Sequence, residues 1–597
     1  MKRFRKGMCT ALAGFMLLGG AGAFAACGDG TGGTGGTGGG TGDGAQEYEH
    51  LSSSDLPATT SVISIERYRD KVKGGLVGTM AGVAYGYPVE FHYKNWIPES
   101  SLPNWYDEMI QNAYDQDDVY LSVTAIEVLK DLGLDATSRE LGIYTYNRDF
   151  EFWNGSNNDV LARGFAPPFS GYPKYSTTYL TGAYPDGNSY QCGSSFGGFL
   201  GLNMTGWAND VCHRFAEICC YGDGIYSMQF IAAMYGAAFF TDDIGELIDA
   251  GLAAIPADSW SALVINDVLK NYADGMSAYD NYQYLQKTYV NSDEYNWIGW
   301  PSGGILLDAK MCSAFTLIGL LYGEGDIQKS MELTVSCAHD SDSTAAATAG
   351  ILATIQGYSA LDAKFKNGLI KDQKFKYSQS TVDGVVDNCD ELIRKIVVRE
   401  GGKIAYVDDV LSIVIPAEAK TAEIEDYENS KYPSPMELMT YSEEETAQMR
   451  TISDPGFERS TNQLANGWST NAAGQVSIEW MRQTARTGLC NALIRAREGE
   501  DVEVYTSASV EENTNYTLTF WVKAGEGFAS DVSLVVRNAS GDALRTLAVS
   551  AGGGEWTQVT MTVNSGKNTS LRLGILVTGA NDTDTLKLDD VAFQKII

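Results

Sequence analysis

The chain has 597 residues, 44% of them hydrophobic, enough for more than one well-filled core. Its formal net charge is −33, and no basic cluster breaks the acidic background beyond the N-terminus. That excludes a protein built to hold nucleic-acid phosphates. Four histidines and no H-E-x-x-H make a zinc hydrolase a poor fit.

Residues 1–27 carry a basic start, an apolar run and small residues before Cys27, the pattern of a secretory signal peptide. FAAC at 24–27 is similar to a bacterial lipobox, with Phe24 where leucine is usual, so Cys27 is the expected lipidation site. Plain cleavage is the alternative. The Gly/Thr-rich residues 28–60 read as a flexible tether. No later run is long enough to span a bilayer, so membrane contact is expected only through a lipid anchor. Of the ten cysteines, two (Cys9 and Cys27) fall in the export segment, and the rest, including the adjacent Cys219 and Cys220, lack zinc spacing.

A glycine-rich helix is expected over 74–86, with Gly74, Gly75, Gly78 and Gly82 at helical spacing for close packing, followed by Glu90 after a proline turn. A second helix opens on Asp115, Asp117 and Asp118, continues through Leu121, Ala125, Val128, Leu129 and Leu132, and stops at Gly133. Residues 144–206 are rich in Tyr, Gly, Asn, Ser and Pro and read as a long loop, in which 184–198 could wrap a polar ligand. Helical runs follow at 222–240 and 242–259. Then come Asp340 and Asp342 with Ser341 and Ser343, leading into a small-residue helix that contains Gly350. Asp and Ser are ordinary helix caps, so each acidic start alone could be only a cap. Brought together, the two starts would form an oxygen-rich cage for hard divalent cations.

Three blocks in this order give the chain its likeness: GGLVGTMAGVAYGYPVE at 74–90, QDDV at 116–119 and DSDS at 340–343. Together they resemble the ADP-ribosylglycohydrolases, the dinitrogenase-reductase-activating-glycohydrolase fold, with T-D-D-T and D-T-D-T replaced here by QDDV and DSDS. The resemblance implies an all-α domain holding two Mg²⁺ or Mn²⁺ ions. Their ligands would be Gln116, Asp117, Asp118, Asp340, Asp342 and Ser343. Glu90 would be the catalytic residue that activates water. Tyr226 stands where the family usually carries a histidine and becomes the expected substrate contact. Val83 and Val119 depart from the family's polar residues. His339 reads as a neighbour of the site rather than a ligand.

Residues 361–450 read as an extension, with β-like pieces at 403–419, and then a polar linker. From 451 onward the character is all β. DPGFE at 454–458 opens it, and alternating runs at 515–524, 531–539, 555–563, 571–579 and 585–593 follow. This part resembles a jelly-roll carbohydrate-binding module. The likeness implies a structural Ca²⁺ at Glu458 with Asp589 or Asp590. Trp468 and Trp480 are candidates for stacking on sugars, with sandwich core as the other reading; Trp521 and Trp556 are expected in the core.

The expected architecture is therefore multidomain: an all-α ADP-ribosylglycohydrolase-like domain at 61–360, an extension and linker at 361–450, and an all-β jelly-roll sandwich at 451–597. The expected function is an exported, metal-dependent hydrolase of a glycosidic bond that removes ADP-ribose or a related ribosyl group. Two alternatives stand beside it: a glycosidase acting on extracellular glycans with the same scaffold, and a non-catalytic surface glycan-binding protein. The partners are an ADP-ribosyl or glycan substrate and a glycan held by the C-terminal module, with no nucleic acid.

Overall fold

The computed structural model describes residues 48–148, 160–171, 187, 192–291, 307–416, 418–419, 421–427, 440–458, 463–464, 467–480, 484–551 and 553–596. The leader and Cys27 lie outside them. Among the described residues no helix is long and apolar enough to cross a membrane.

The helical domain is built around one pair of helices. Ser64 caps the first, Ile65–Gly86, by accepting the Arg67 N–H at 3.1 Å. The second is the small-residue helix Ser341–Gln356. The glycines of the first let the two backbones touch. A Cβ at Gly78 would sit 2.5 Å from the Ala349 carbonyl oxygen, and one at Gly82 would overlap the Ala345 carbonyl. At the far end Ser341 Oγ donates to the Gly86 carbonyl at 3.1 Å. The segment leaving the first helix, which carries Glu90, is thereby pinned to the start of the second.

Helix Asp117–Leu132 ends at Gly133, whose φ of 93° suits glycine. Part of the expected 184–198 loop is helix instead. Ser195–Gly201 is fully buried, because Phe196, Phe199 and Leu200 pack in the core.

The expected domain end at 360 leaves out a core helix, Val382–Arg399. Val385, Val386, Cys389, Leu392, Ile393 and Ile396 form its buried face. Tyr68 Oη donates to the carbonyls of Phe199 and Cys389, and Arg69 is paired with Asp387 and Asp390. The expected tether is also structured from His50. His50–Leu51 runs parallel to Lys403–Val407 in a four-stranded sheet completed by Val410–Ile415 and Ser61–Ser64.

The C-terminal part is a sandwich of two five-stranded sheets. One runs Ala543–Val549, Asp531–Arg537, Ser570–Thr578, Asp501–Ser509, Ser469–Thr470. The other runs Thr557–Asn564, Asn515–Ala524, Thr585–Lys595, Cys490–Arg495, Val476–Trp480. Strand Asn515–Ala524 shows the half-buried alternation plainly: Tyr516, Leu518, Phe520, Val522 and Ala524 face inward.

Two tryptophan expectations change here. Trp468 is only 4% exposed, packs on Phe457 and Phe520, and donates its indole N–H to the Ser453 and Asp454 carbonyls. It is core, closed to a sugar. Trp521 was expected in the core, yet the period of its strand turns it outward, and Arg486 lies 3.7 Å over its ring. Trp556 precedes its strand and is half-buried. Trp480, at the end of an edge strand, is 54% exposed, as a stacking residue requires.

Candidate functional site

The acidic starts of the two remote helices meet. Asp118, Asp340 and Asp342 are each no more than 3% exposed, and Ser343 Oγ donates to Asp118 Oδ1 at 2.9 Å. Asp342 accepts the N–H of Ser343, also at 2.9 Å. Glu90, Asp340 and Asp342 each present a carboxylate oxygen within 4.8 Å of the others.

The loop that brings Glu90 in is held by backbone bonds. Phe91 N–H donates to the His339 carbonyl at 2.9 Å, and His339 N–H donates to the Tyr93 carbonyl at 3.2 Å. Phe91, Ala338 and His339 all have positive φ, at 56°, 66° and 60°. Left-handed backbone costs a non-glycine residue about 1–2 kcal/mol, so three such residues around one cluster mark a strained, over-determined corner.

Electrostatics show what the cluster would take. Burial holds the Asp342 carboxyl well above the usual range, and Asp118, Asp340, Glu90 and Asp117 push it further. Burial, then Asp340 and Asp117, raise Glu90 to about 8. Burial also raises Asp117, while helix-start N–H groups and the Lys376 charge pull it back. Five interacting carboxylates held this close accept protons unless cations replace them. The donor set is all oxygen, with a serine hydroxyl beside it, which fits Mg²⁺ or Mn²⁺. Gln116 stands at the same helix start, where its carbonyl accepts the Val119 and Tyr120 N–H groups. His339 is turned to other partners: its ring stacks on Phe315, its Nε2 lies 3.1 Å from Gln286 Nε2, and burial lowers its pKa to about 4.

The family model for ADP-ribosylglycohydrolase matches residues 64–399, the stretch that contains every one of these groups. The chain belongs to the ADP-ribosylglycohydrolase family. The match also takes in the Val382–Arg399 helix, in keeping with that helix's packing. Metal dependence is typical of the family, and the acidic cluster is where a metal would be held. A solved ADP-ribosylglycohydrolase-related protein complex is 16% identical, with 55% of this chain and 99% of that one covered at a TM-score of 0.36. Two carbohydrate-binding modules match the sandwich region. TmCBM61, solved with β-1,4-galactotriose, is 18% identical over 25% of this chain and 99% of its own, at a TM-score of 0.22. The CBM22-1 xylan-binding domain from Paenibacillus barcinonensis is 19% identical over 24% and 97%, at 0.20. No match was found among the curated proteins.

Within this ADP-ribosylglycohydrolase domain Tyr226 is buried on helix Asp223–Ala237. It lines a cavity of about 420 Å³ with Asn209, Asp210, His213, Gln229 and Glu425, and donates to Glu425 Oε2 at 3.4 Å. None of the five clustered carboxylates lines that cavity. The helix Asp223–Ala237 carries Tyr226 in its first turn, and the extension touches that turn through Glu425 on Tyr226 and Tyr427 on Asp223. Lys376 is a residue that sequence reasoning missed. Its ammonium lies over the rings of Tyr377 and Tyr120, at 4.8 and 5.8 Å, and acts on Asp117. It comes from an irregular segment with no motif of its own.

In the sandwich Glu458, Asp589 and Asp590 lie near one another, with the Arg486 guanidinium paired to Asp590. Glu458 accepts the Leu489 and Cys490 N–H groups and is raised to about 8, first by burial and further by Asp590 and Asp454. Burial holds Asp589 well above its usual range, with Asp590 and Glu458 adding to it. Asp590 accepts Thr487 Oγ1 at 2.6 Å and is paired with Arg486.

Proposed function

We propose that the protein is an exported, divalent-metal-dependent hydrolase of a glycosidic bond, removing an ADP-ribosyl or related ribosyl group from its carrier. The observation that carries this reading is the convergence of Glu90, Asp340 and Asp342, with Asp118 tied in through Ser343. When bound there, Mg²⁺ or Mn²⁺ supplies Lewis-acid polarisation of sugar and water oxygens. Asp117, Asp118, Asp340 and Asp342 would hold it, with Ser343 and Gln116 beside them. Glu90, with a carboxylate oxygen within 4.8 Å of those of Asp340 and Asp342, is positioned to orient water and take its proton at a carboxylate oxygen. The leader at 1–27 and Cys27 support export with a lipid anchor.

A second reading keeps this chemistry and changes the substrate to an extracellular glycan. What favours it is the sandwich joined to the catalytic domain, with the exposed Trp480 on its edge strand. In that reading, as in the first, the sandwich holds a saccharide. Incubating the purified chain with ADP-ribosyl-arginine and with a glycan panel, with and without Mg²⁺, tests the choice. Metal-dependent release from ADP-ribosyl-arginine supports the first reading, and release from a glycan alone supports the second. No release from either leaves a non-catalytic glycan-binding protein.

A further inference from the structure

The solvent side of the first sandwich sheet carries a cluster that the hydrolase chemistry does not use. Along Asp501–Ser509 the inward residues are Val502, Val504 and Ala508, so Glu503 and Tyr505 point outward. Glu503 is nevertheless only 6% exposed. Two arginines cover it: Arg537 Nε lies 3.1 Å and Arg572 Nη2 2.9 Å from its carboxylate. Gly574, in mid-strand, makes room for this. It pairs with Tyr505, and a Cβ there would fall 3.1 Å from Glu503 Oε1. The Arg572 guanidinium carbon lies over the Tyr505 ring, 3.3 Å from its centroid.

The arithmetic of charge and donors leaves a surplus. Two guanidinium groups share one carboxylate, so the cluster is net +1. An arginine has five N–H donors. Arg572 gives Nη2 to Glu503; its Nε is buried and out of a ligand's reach, which leaves Nη1 as the donor with no acceptor among the described residues. Arg537 uses Nε on Glu503 and Nη1 on the Gly541 carbonyl. Both guanidinium planes are fixed before any ligand arrives, one by an aromatic face and both by a buried carboxylate. Fixed, planar, surplus donors are what bidentate capture of a carboxylate needs. The rest of the chain is strongly acidic, at −33 overall, and would repel a polyanion.

We propose that Arg537 and Arg572, set by Glu503 and Tyr505, form a binding site for a carboxylate-bearing saccharide such as a uronate chain. The proposal rests on the reading of the sandwich as the part that holds a saccharide; it does not depend on the metal centre.

The test uses the full mature chain and two named probes, polygalacturonate and neutral β-1,4-galactan, in affinity electrophoresis and calorimetry. Polygalacturonate is expected to bind, and to bind more weakly in about 0.5 M NaCl. Arg572→Gln should weaken it about tenfold, the effect of losing a charge-assisted hydrogen-bond pair. Glu503→Gln is the discriminating variant. It keeps the shape but removes the charge that fixes both guanidinium groups, so the folded variant should bind polygalacturonate more weakly, and unchanged binding would overturn the positioning role of Glu503. Thermal unfolding of each variant reports folding. Wild-type binding of polygalacturonate by folded Arg572→Gln overturns the proposal. Binding of galactan alone, lost in Trp480→Ala, overturns it while sparing the saccharide reading. Binding of neither probe overturns both.

Discussion

Ser343 Oγ donates to Asp118 Oδ1 across 2.9 Å, joining two helix starts that lie 225 residues apart in the chain. The hydroxyl gives a buried carboxylate a charge-assisted partner and places two acidic helix N-termini side by side. Ser343→Ala removes that donor and leaves Asp118 less well held. A hydrogen bond to a charged group is worth about 1.5–3 kcal/mol, so Mn²⁺ affinity should fall about tenfold or more, while Ser343→Thr should keep most of it. Calorimetric titration of the metal-stripped chain checks both.

Close backbone contact between Ile65–Gly86 and Ser341–Gln356 sets how near Glu90 comes to Asp340 and Asp342. Gly82→Ala drives a methyl into the Ala345 carbonyl, where no flexible side chain can yield. The expected loss is about 3 kcal/mol, at the upper end for overpacking, with metal affinity falling in parallel. Chemical denaturation of the variant measures it. Gly474→Ala, at a glycine with open space around it, serves as the control.

Without metal, the acidic clusters make stability depend on pH with a definite sign. Glu90 and Glu458 rise from 4.5 to about 8 on folding. Between those values the folded chain binds more protons than the unfolded one. Stability is therefore full below about pH 4.5 and is lost as pH rises through about 8. The metal-stripped protein should melt at a lower temperature at pH 8 than at pH 5. Saturating Mg²⁺ and Ca²⁺ should remove that trend, because cations favour the ionised carboxylates. Melting curves over this range, with and without metal, check it.

The sandwich tryptophans separate packing from exposure. Trp468→Ala empties a buried site between Phe457 and Phe520 and should cost about 3–5 kcal/mol. Trp480→Ala, on the exposed end of an edge strand, should change stability by no more than about 0.5 kcal/mol. Thermal unfolding of the two variants distinguishes them.

Much of the architecture was legible because its signals are local. Clustered aspartates at helix starts, glycines at helical spacing and period-2 strands such as Asn515–Ala524 all appear within a dozen residues. What escaped depends on contacts between distant segments. Helix Val382–Arg399 has a clear apolar face, yet nothing in its own residues says that Tyr68 and Arg69 await it. A period of two tells which strand residues share a face but not which face is inside, so Trp521 was assigned to the wrong side. Strand Cys490–Arg495 is buried almost throughout and lacks the alternation that marks a strand. Lys376 reaches Asp117 from an irregular segment, and Tyr226 faces a cavity lined in part by the extension; neither placement leaves a trace in spacing.

The central claim is that the two acidic helix starts share cations. The direct measurement is calorimetric titration of Mg²⁺ and Mn²⁺ into the metal-stripped full chain, alongside Asp118→Asn and Asp342→Asn. Asparagine keeps the shape of each side chain, and melting curves establish that each variant is folded. The account predicts metal binding by the wild type and a loss of about tenfold or more in each variant, one from either helix. Wild-type affinity in both folded variants would contradict it.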